Sequence, residues 1–158
     1  LAHGYIREAP TRTLYAPEID GEETSADIKI SNRVSSDWLD ARVRFAGGSA
    51  ERFAATLSLI SAPAFFSTLK QDGQVVSIAY GVILDGCLVL EAVATDPECR
   101  GRGHARKMLR SLMARARDEG AREAALQVVA ENAPALALYA KLGFTEDLYG
   151  YAYYRQPV

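Results

Sequence analysis

The stretch ECRGRGHARKML, residues 98–109, sets two arginines among two glycines directly ahead of a helical pattern. Cationic side chains at a helix N-terminus face the positive end of the macrodipole, at a cost of roughly 0.3–1 kcal/mol each. Arg100 and Arg102 in that place call for an anion to offset them. The helix start supplies unpaired backbone N–H groups for one. Gly101 and Gly103 permit the unusual φ values and the close backbone approach that a phosphate or pyrophosphate needs. The plain alternative is a glycine loop with solvated arginines. Two common phosphate motifs are excluded, because Arg106 stands where GxGxxG needs its third glycine and no GK[ST] follows.

Such a loop has to hang between a strand and a helix, and the flanking pattern predicts both. CLVLEAVAT precedes it as a strand, and Ala105, Met108, Leu109, Leu112, Met113 and Ala116 then form one apolar stripe up to Gly120. Upstream, DIKISNRV reads as a first core strand. A helix starting at Ser36-Asp37 runs through WLDARVRF, and a second, capped by Gly47-Gly48-Ser49, covers AERFAATLSLI. AFFSTLK and QVVSIAYGVIL lead into CLVLEAVAT through turns at Asp72-Gly73 and Asp85-Gly86, an antiparallel meander. Downstream come a strand at AALQVVA, a short helix at APALALYAKL after Asn132, and an alternating strand at DLYGYAYYR. Strands first, then strand–helix–strand, predict an α/β sandwich with a mixed sheet.

At 158 residues the chain suits one domain with a real core. Its net charge of −2 argues against a general nucleic-acid binder, and the basic run from Arg100 to Arg117 alternates with the core stripe as a solvated face. Cys87 and Cys99 form no CxxC pair, which fits a reduced cytoplasm better than a disulfide framework or a zinc site. No apolar run reaches membrane-spanning length and no signal peptide is evident. Neither His3 nor His104 has a partner at metal-ligand spacing, so no metal is expected. Residues 1–25, with Pro10, Pro17, Asp20-Gly21 and the acidic Glu22-Glu23, read as an arm or linker with a short strand around Arg12–Tyr15. Tyr5, Ile6, Leu14 and Tyr15 are too apolar for a solvated tail, so residues 10–16 are expected to pack on a sheet edge, a second copy or an upstream domain. The chain opens on Leu1 rather than methionine, which leaves room for upstream sequence.

ATDPECRGRGHARKML resembles the acyl-CoA signature of the GNAT superfamily of N-acyltransferases, R/Q-x-x-G-x-G/A, with Arg100, Gly103 and Ala105 in its specified places. ENAPALALYAKLGF is similar to the family's second signature, an asparagine after a strand, then a tyrosine, then LGF. The resemblance covers roughly Asp27 to Arg155 and is strongest from Val89 to Phe144. It implies a mixed, mostly antiparallel sheet flanked by about four helices, with an acetyltransferase domain at 26–158. It implies acetyl-CoA as co-substrate and a primary amine as acceptor. The loop amides of Arg100, Gly101, Arg102, Gly103, His104 and Ala105 would cradle the pyrophosphate of coenzyme A. Free backbone groups of Val93, Ala94 and Thr95, on a strand splayed from its neighbour, would pair with the pantetheine arm. Asn132 and Tyr139 would contact the cofactor from the second signature.

Acetyl transfer needs a neutral amine, a polarised carbonyl and a proton for the departing thiolate. Tyr139 is the candidate proton donor, and Asn132, two helical turns earlier, can face the same cleft. The alternative for Tyr139 is a ring packed in the core beside Ala135, Leu138 and Leu142. Glu91 is the candidate base, since a carboxylate in an apolar strand needs a partner; an ion pair with a core-edge arginine, or a base-free route through ordered water, answers the same pattern. Trp38, Phe65, Phe66 and some of Tyr149, Tyr151, Tyr153 and Tyr154 are candidates for the acceptor wall, which favours an acceptor with apolar character. The competing function is a non-catalytic acetyl-CoA-binding sensor; from a different class, a nucleic-acid-binding domain built on the basic helix would show steep salt dependence.

Overall fold

The computed structural model describes residues 4–21 and 25–156, so His3 and the Glu22-Glu23 patch lie outside the described residues. Seven strands and four α-helices follow in the order β1 (Ile6–Ala16), β2 (Ile28–Ser31), α1 (Ser36–Ala46), α2 (Ala50–Leu57), β3 (Ala64–Gln71), β4 (Gln74–Leu84), β5 (Cys87–Thr95), α3 (His104–Asp118), β6 (Glu123–Val129), α4 (Ala133–Ala140) and β7 (Glu146–Arg155). A 3₁₀ turn at Pro97–Cys99 links β5 to the glycine loop. All seven strands form one sheet in the order β2-β3-β4-β5-β6-β1-β7. Every pairing is antiparallel except β5 with β6, which α3 connects as a crossover. The mixed, mostly antiparallel sheet with four helices agrees with the expectation.

Local chemistry sets these elements. Asp72-Gly73 and Asp85-Gly86 both take positive φ at two successive residues, which suits tight two-residue hairpins and fixes the β3–β4–β5 meander. Ser35, one residue before the expected start, caps α1 by accepting from the Trp38 N–H at 3.2 Å. Ser49 caps α2 the same way through Arg52. Helix α3 lays Met108, Leu109, Leu112, Met113 and Ala116 onto one face of the sheet, all fully buried with Leu14, Leu88, Leu90, Leu126 and Val128. On the other face Trp38 of α1 is fully buried over β3 and β4, and its indole N–H donates to the Ala79 carbonyl at 3.1 Å. Strand β4, covered on both sides, reads as the continuous apolar run that central strands show.

The N-terminal stretch differs from the expectation of a short strand on an edge. Residues 6–16 form an eleven-residue strand inside the sheet, paired with β6 from Thr11↔Val129 to Ala16↔Ala124 and with β7 from Ile6↔Arg155 to Tyr15↔Glu146. Proline and mixed polarity hid it. A bulge at Ala9-Pro10, with Ala9 at φ 44°, accommodates the proline, and threonines at 11 and 13 give the strand its second face. The chain then crosses α3, where a Cβ on Gly21 would stand 2.5 Å from the Ala114 backbone nitrogen, so only glycine fits. Among the described residues no helix is long and apolar enough to cross a membrane.

Leu14, 4% exposed in the core under α4, tests whether β1 is integral to the fold. Leu14→Ala is expected to lower the unfolding free energy by about 2–5 kcal/mol in urea titration. A loss under about 0.5 kcal/mol, the scale of a surface change, would mean that the strand does not hold the sheet.

Candidate active site

The site begins where two strands part. β5 pairs with β6 only from Cys87↔Glu123 to Leu90↔Leu126, yet both strands run on, to Thr95 and Val129. Backbone groups of β5 beyond Leu90 therefore have a ladder partner on one side only. The Asp96 N–H donates to the Val76 carbonyl at 2.9 Å, and the Ala94 carbonyl accepts from the Ser77 hydroxyl at 3.1 Å. Strand alternation then turns the backbone groups of Val93 and Thr95 toward the gap and those of Ala94 toward β4. Of the three residues expected along a pantetheine arm, Ala94 is the one the geometry directs elsewhere.

A bulge lies at the same level. Ile78 pairs with Ala94 and Tyr80 with Glu91, so Ala79 alone stands opposite Ala92 and Val93. Ala92 takes φ 51°, a left-handed conformation that costs a non-glycine residue roughly 1–2 kcal/mol. Strain of this kind persists where surrounding structure enforces it and recurs beside functional sites. No residue type in EAVAT announces it; the register with β4 was needed.

At the far end of the gap, Gly103 is the N-cap of α3 at φ 80°, with no side-chain cap and no acidic residue in the first turn. Gly101 is also left-handed, at φ 75°, and a Cβ on either glycine would meet nothing within 4 Å. The glycines serve backbone conformation and leave open space above the first-turn N–H groups. Arg102 donates to the Glu98 carbonyl at 3.1 Å and Arg100 to the Thr95 carbonyl at 3.4 Å. Neither arginine has an ion pair among the described residues, so both charges face the loop unneutralised. The His104 Nε2 atom is buried without a hydrogen-bond partner, and half-buried Ala105 follows it. Open space, uncapped N–H groups and two uncompensated cations fit a pyrophosphate.

Tyr139 and Glu91 approach this gap from opposite faces. The Tyr139 ring is buried in the core at 5.9 Å from Phe144, edge to face, so the packing alternative is realised in part. Burial, and after it the charge of Glu91, pushes its phenol up to about 12. The same two causes raise Tyr80, the cross-strand partner of Glu91. Glu91 itself is half-buried, and burial raises its carboxyl above the ordinary range. It forms no ion pair among the described residues, so no core-edge arginine answers it. Asn132 is exposed and caps α4, its Oδ1 accepting from the Ala135 N–H at 3.2 Å.

The expected acceptor wall needs correction. Trp38, Phe65 and Phe66 are at most 7% exposed and belong to the core, Trp38 and Phe66 on the face that α1 and α2 cover and Phe65 on the opposite face with α3. Tyr80, which the sequence reading passed over, sits nearer the chemistry. A cavity of about 570 Å³ lined by Leu57, Phe65, Arg115 and Glu119 lies at the C-terminal end of α3, away from the loop.

Known acetyltransferases share this fold. The uncharacterized N-acetyltransferase YobR of Bacillus subtilis (strain 168) is 29% identical over 121 residues, covering 74% of this chain and 49% of YobR. A GCN5-related N-acetyltransferase from Sphaerobacter thermophilus superposes with a TM-score of 0.75 at 20% identity, over 98% of this chain and 53% of its own. AAC(6')-Iy, solved in complex with the bisubstrate analog CoA-S-monomethyl-acetylneamine, gives a TM-score of 0.64 at 18% identity, over 83% and 99%. This chain thus spans about half the length of the first two relatives. Residues 33–144 match the acetyltransferase (GNAT) family across both the glycine loop and the Asn132–Tyr139 segment, and the chain belongs to that family.

Proposed function

We propose that the chain transfers an acetyl group from acetyl-CoA to a primary amine by direct attack of the amine. The observation that carries this reading is the gap between β5 and β6, closed at one end by an uncapped, glycine-rich helix start beside two arginines that make no ion pair among the described residues. AAC(6')-Iy, whose fold is similar, was solved with a CoA-based bisubstrate analog, which supports the same class of co-substrate here.

Acetyl-CoA supplies the acyl group as a thioester. The first-turn N–H groups of α3, from Gly103 to Arg106, together with Arg100 and Arg102, hold the pyrophosphate. The outward backbone groups of Val93 and Thr95 hold the pantetheine arm as a neighbouring strand would, and the Asn132 amide N–H₂, left free by its cap, adds a donor at the mouth. Glu91 takes the proton of the attacking amine; its raised carboxyl is closer to the amine's range than an ordinary one. Tyr139 donates a hydrogen bond and then a proton to the departing sulfur. A phenol at about 12 is a reluctant donor, yet part of that value is the charge of Glu91. Once Glu91 has accepted the amine's proton that charge is gone, and the phenol becomes more acidic at the moment its proton is wanted.

Thiol release from acetyl-CoA against a panel of primary amines tests the activity directly. Gly103→Ala should weaken CoA binding in calorimetry by about tenfold or more, the loss of one charge-assisted hydrogen bond. Unchanged affinity in the folded variant would put the pyrophosphate elsewhere. For Tyr139→Phe, kcat should fall about 10²-fold with CoA affinity preserved. In the pH profile of kcat/KM, an ionisation above the ordinary glutamate value of about 4.3 should govern the acid limb and vanish in Glu91→Gln. If that ionisation, distinct from the amine's own, survives the substitution, the proton goes to water instead.

A further inference from the structure

One residue past the last β5–β6 pair, Leu90↔Leu126, stand Glu91 and Gln127 at the root of the gap. Leu90 and Leu126 point into the core beneath α3, so their neighbours point to the opposite face, where Tyr80 pairs with Glu91. Gln127 pairs with Thr13 of β1, and Thr13 with Tyr149 of β7. A polar row, Tyr80–Glu91–Gln127–Thr13–Tyr149, thereby crosses five strands at the level of the chemistry. Helix α1 packs on β3, β4 and β5. Beyond it the row is open, with Gln127 exposed and Tyr149 and Tyr153 58% and 62% exposed.

The hydrogen-bonding state of this row is specific. The Tyr151 hydroxyl donates to Gln127 Oε1 at 2.8 Å, and the Tyr151 ring is braced edge to face against Tyr153 at 5.7 Å. A glutamine has one carbonyl and one amide N–H₂. With the carbonyl taken by Tyr151, Gln127 offers donors to whatever lies beside Glu91. Thr13, 5% exposed between Gln127 and Tyr149, has a buried hydroxyl with no partner. Glu91, when ionised, offers only acceptors.

An amine bearing nothing but its ammonium group would satisfy Glu91 and leave the Gln127 donors unanswered. An amine with hydroxyl oxygens beside the nitrogen answers both, and the exposed tyrosine rings give its carbon skeleton a surface to lie on. We propose that Gln127, oriented by Tyr151, makes this site select hydroxylated primary amines, such as an amino sugar, over plain alkyl amines. The proposal rests on the acyl-transfer reading above. Gln127 is its specificity-determining residue, and Tyr151 is a positioning residue acting through it.

The test measures kcat/KM for glucosamine and for cyclohexylamine in the unmodified chain, in Gln127→Leu and in Tyr151→Phe. The intrinsic reactivity of each amine cancels when the ratio is compared between variants. The glucosamine-to-cyclohexylamine ratio should fall about three- to tenfold in Gln127→Leu, the worth of one hydrogen bond, through KM rather than kcat. Tyr151→Phe should move it the same way by less. An unchanged ratio in folded variants overturns the proposal. Calorimetric titration of glucosamine into the CoA-saturated protein reads the same selectivity without turnover. Binding that depends on Gln127, with no amine acetylated, sinks the acyl-transfer reading and supports this one. Acetylation indifferent to Gln127 does the reverse, and no glucosamine binding at all overturns this proposal alone.

Discussion

The structure turns on four residue pairs. β5 and β6 are bonded from Cys87↔Glu123 to Leu90↔Leu126 and no further, although each strand continues for several residues. Unpaired strand backbone is costly wherever water is kept from it, so this half-buried gap is a place where another extended chain can complete the ladder. Three features lie along it. The bulge at Ala92-Val93 re-aims the β5 backbone, the odd-numbered residues Val93 and Thr95 face outward, and the helix that follows starts without a cap. Each is a local cost, in strain or in unsatisfied N–H groups, and the proposed co-substrate, one extended molecule carrying an anion, would offset all of them.

Holding the gap open demands a rigid far wall, and β6 alone cannot supply it. Past Leu126 it has lost β5, and its remaining ladder partner is β1, which pairs with it as far as Thr11↔Val129. β1 in turn carries β7 along its other edge. Its even residues Leu14 and Ala16 anchor it in the core, while Thr11 and Thr13 face the open side. A strand from the N-terminal end of the sequence thus fixes a gap whose other elements come from residues 87–144. The ion pairs of Arg12 with Asp147 and Arg155 with Glu8 cross the β1–β7 pair at the surface and add little to this beyond register.

Much of this was legible in residue types, for reasons that also explain the rest. Turn pairs such as Asp72-Gly73 have few alternative conformations, and the stripe from Met108 to Ala116 has one period, so β3, β4, β5 and α3 could be placed to within a residue or two. The loop was legible because arginines at a helix start contradict local electrostatics, and a contradiction calls for a ligand. β1 was obscured because its bulge, its proline and its two threonines break the alternation that marks a strand. Trp38, Phe65 and Phe66 were misplaced because an aromatic says nothing of which element will cover it. Tyr80, Gln127 and Thr13 were passed over altogether, since their meaning lies in cross-strand register and no local pattern encodes it.

Register also explains why one carboxylate can govern so much. Glu91 stands opposite Tyr80 on β4, next to the end of the β6 pairing, and close enough to Tyr139 on α4 and Tyr151 on β7 for its charge to act on both phenols. Those tyrosines come from three elements that are far apart in sequence and meet only because the sheet parts at Leu90. In water a single carboxylate would influence none of them; half-buried and with no ion pair among the described residues, its field is screened less. Protonating Glu91 is then felt at the Tyr139 phenol, on which its charge acts second only to burial, and at Tyr151 least among several causes. A change of charge at one atom of β5 thus acts chiefly on a phenol carried by α4, an element more than forty residues away in sequence.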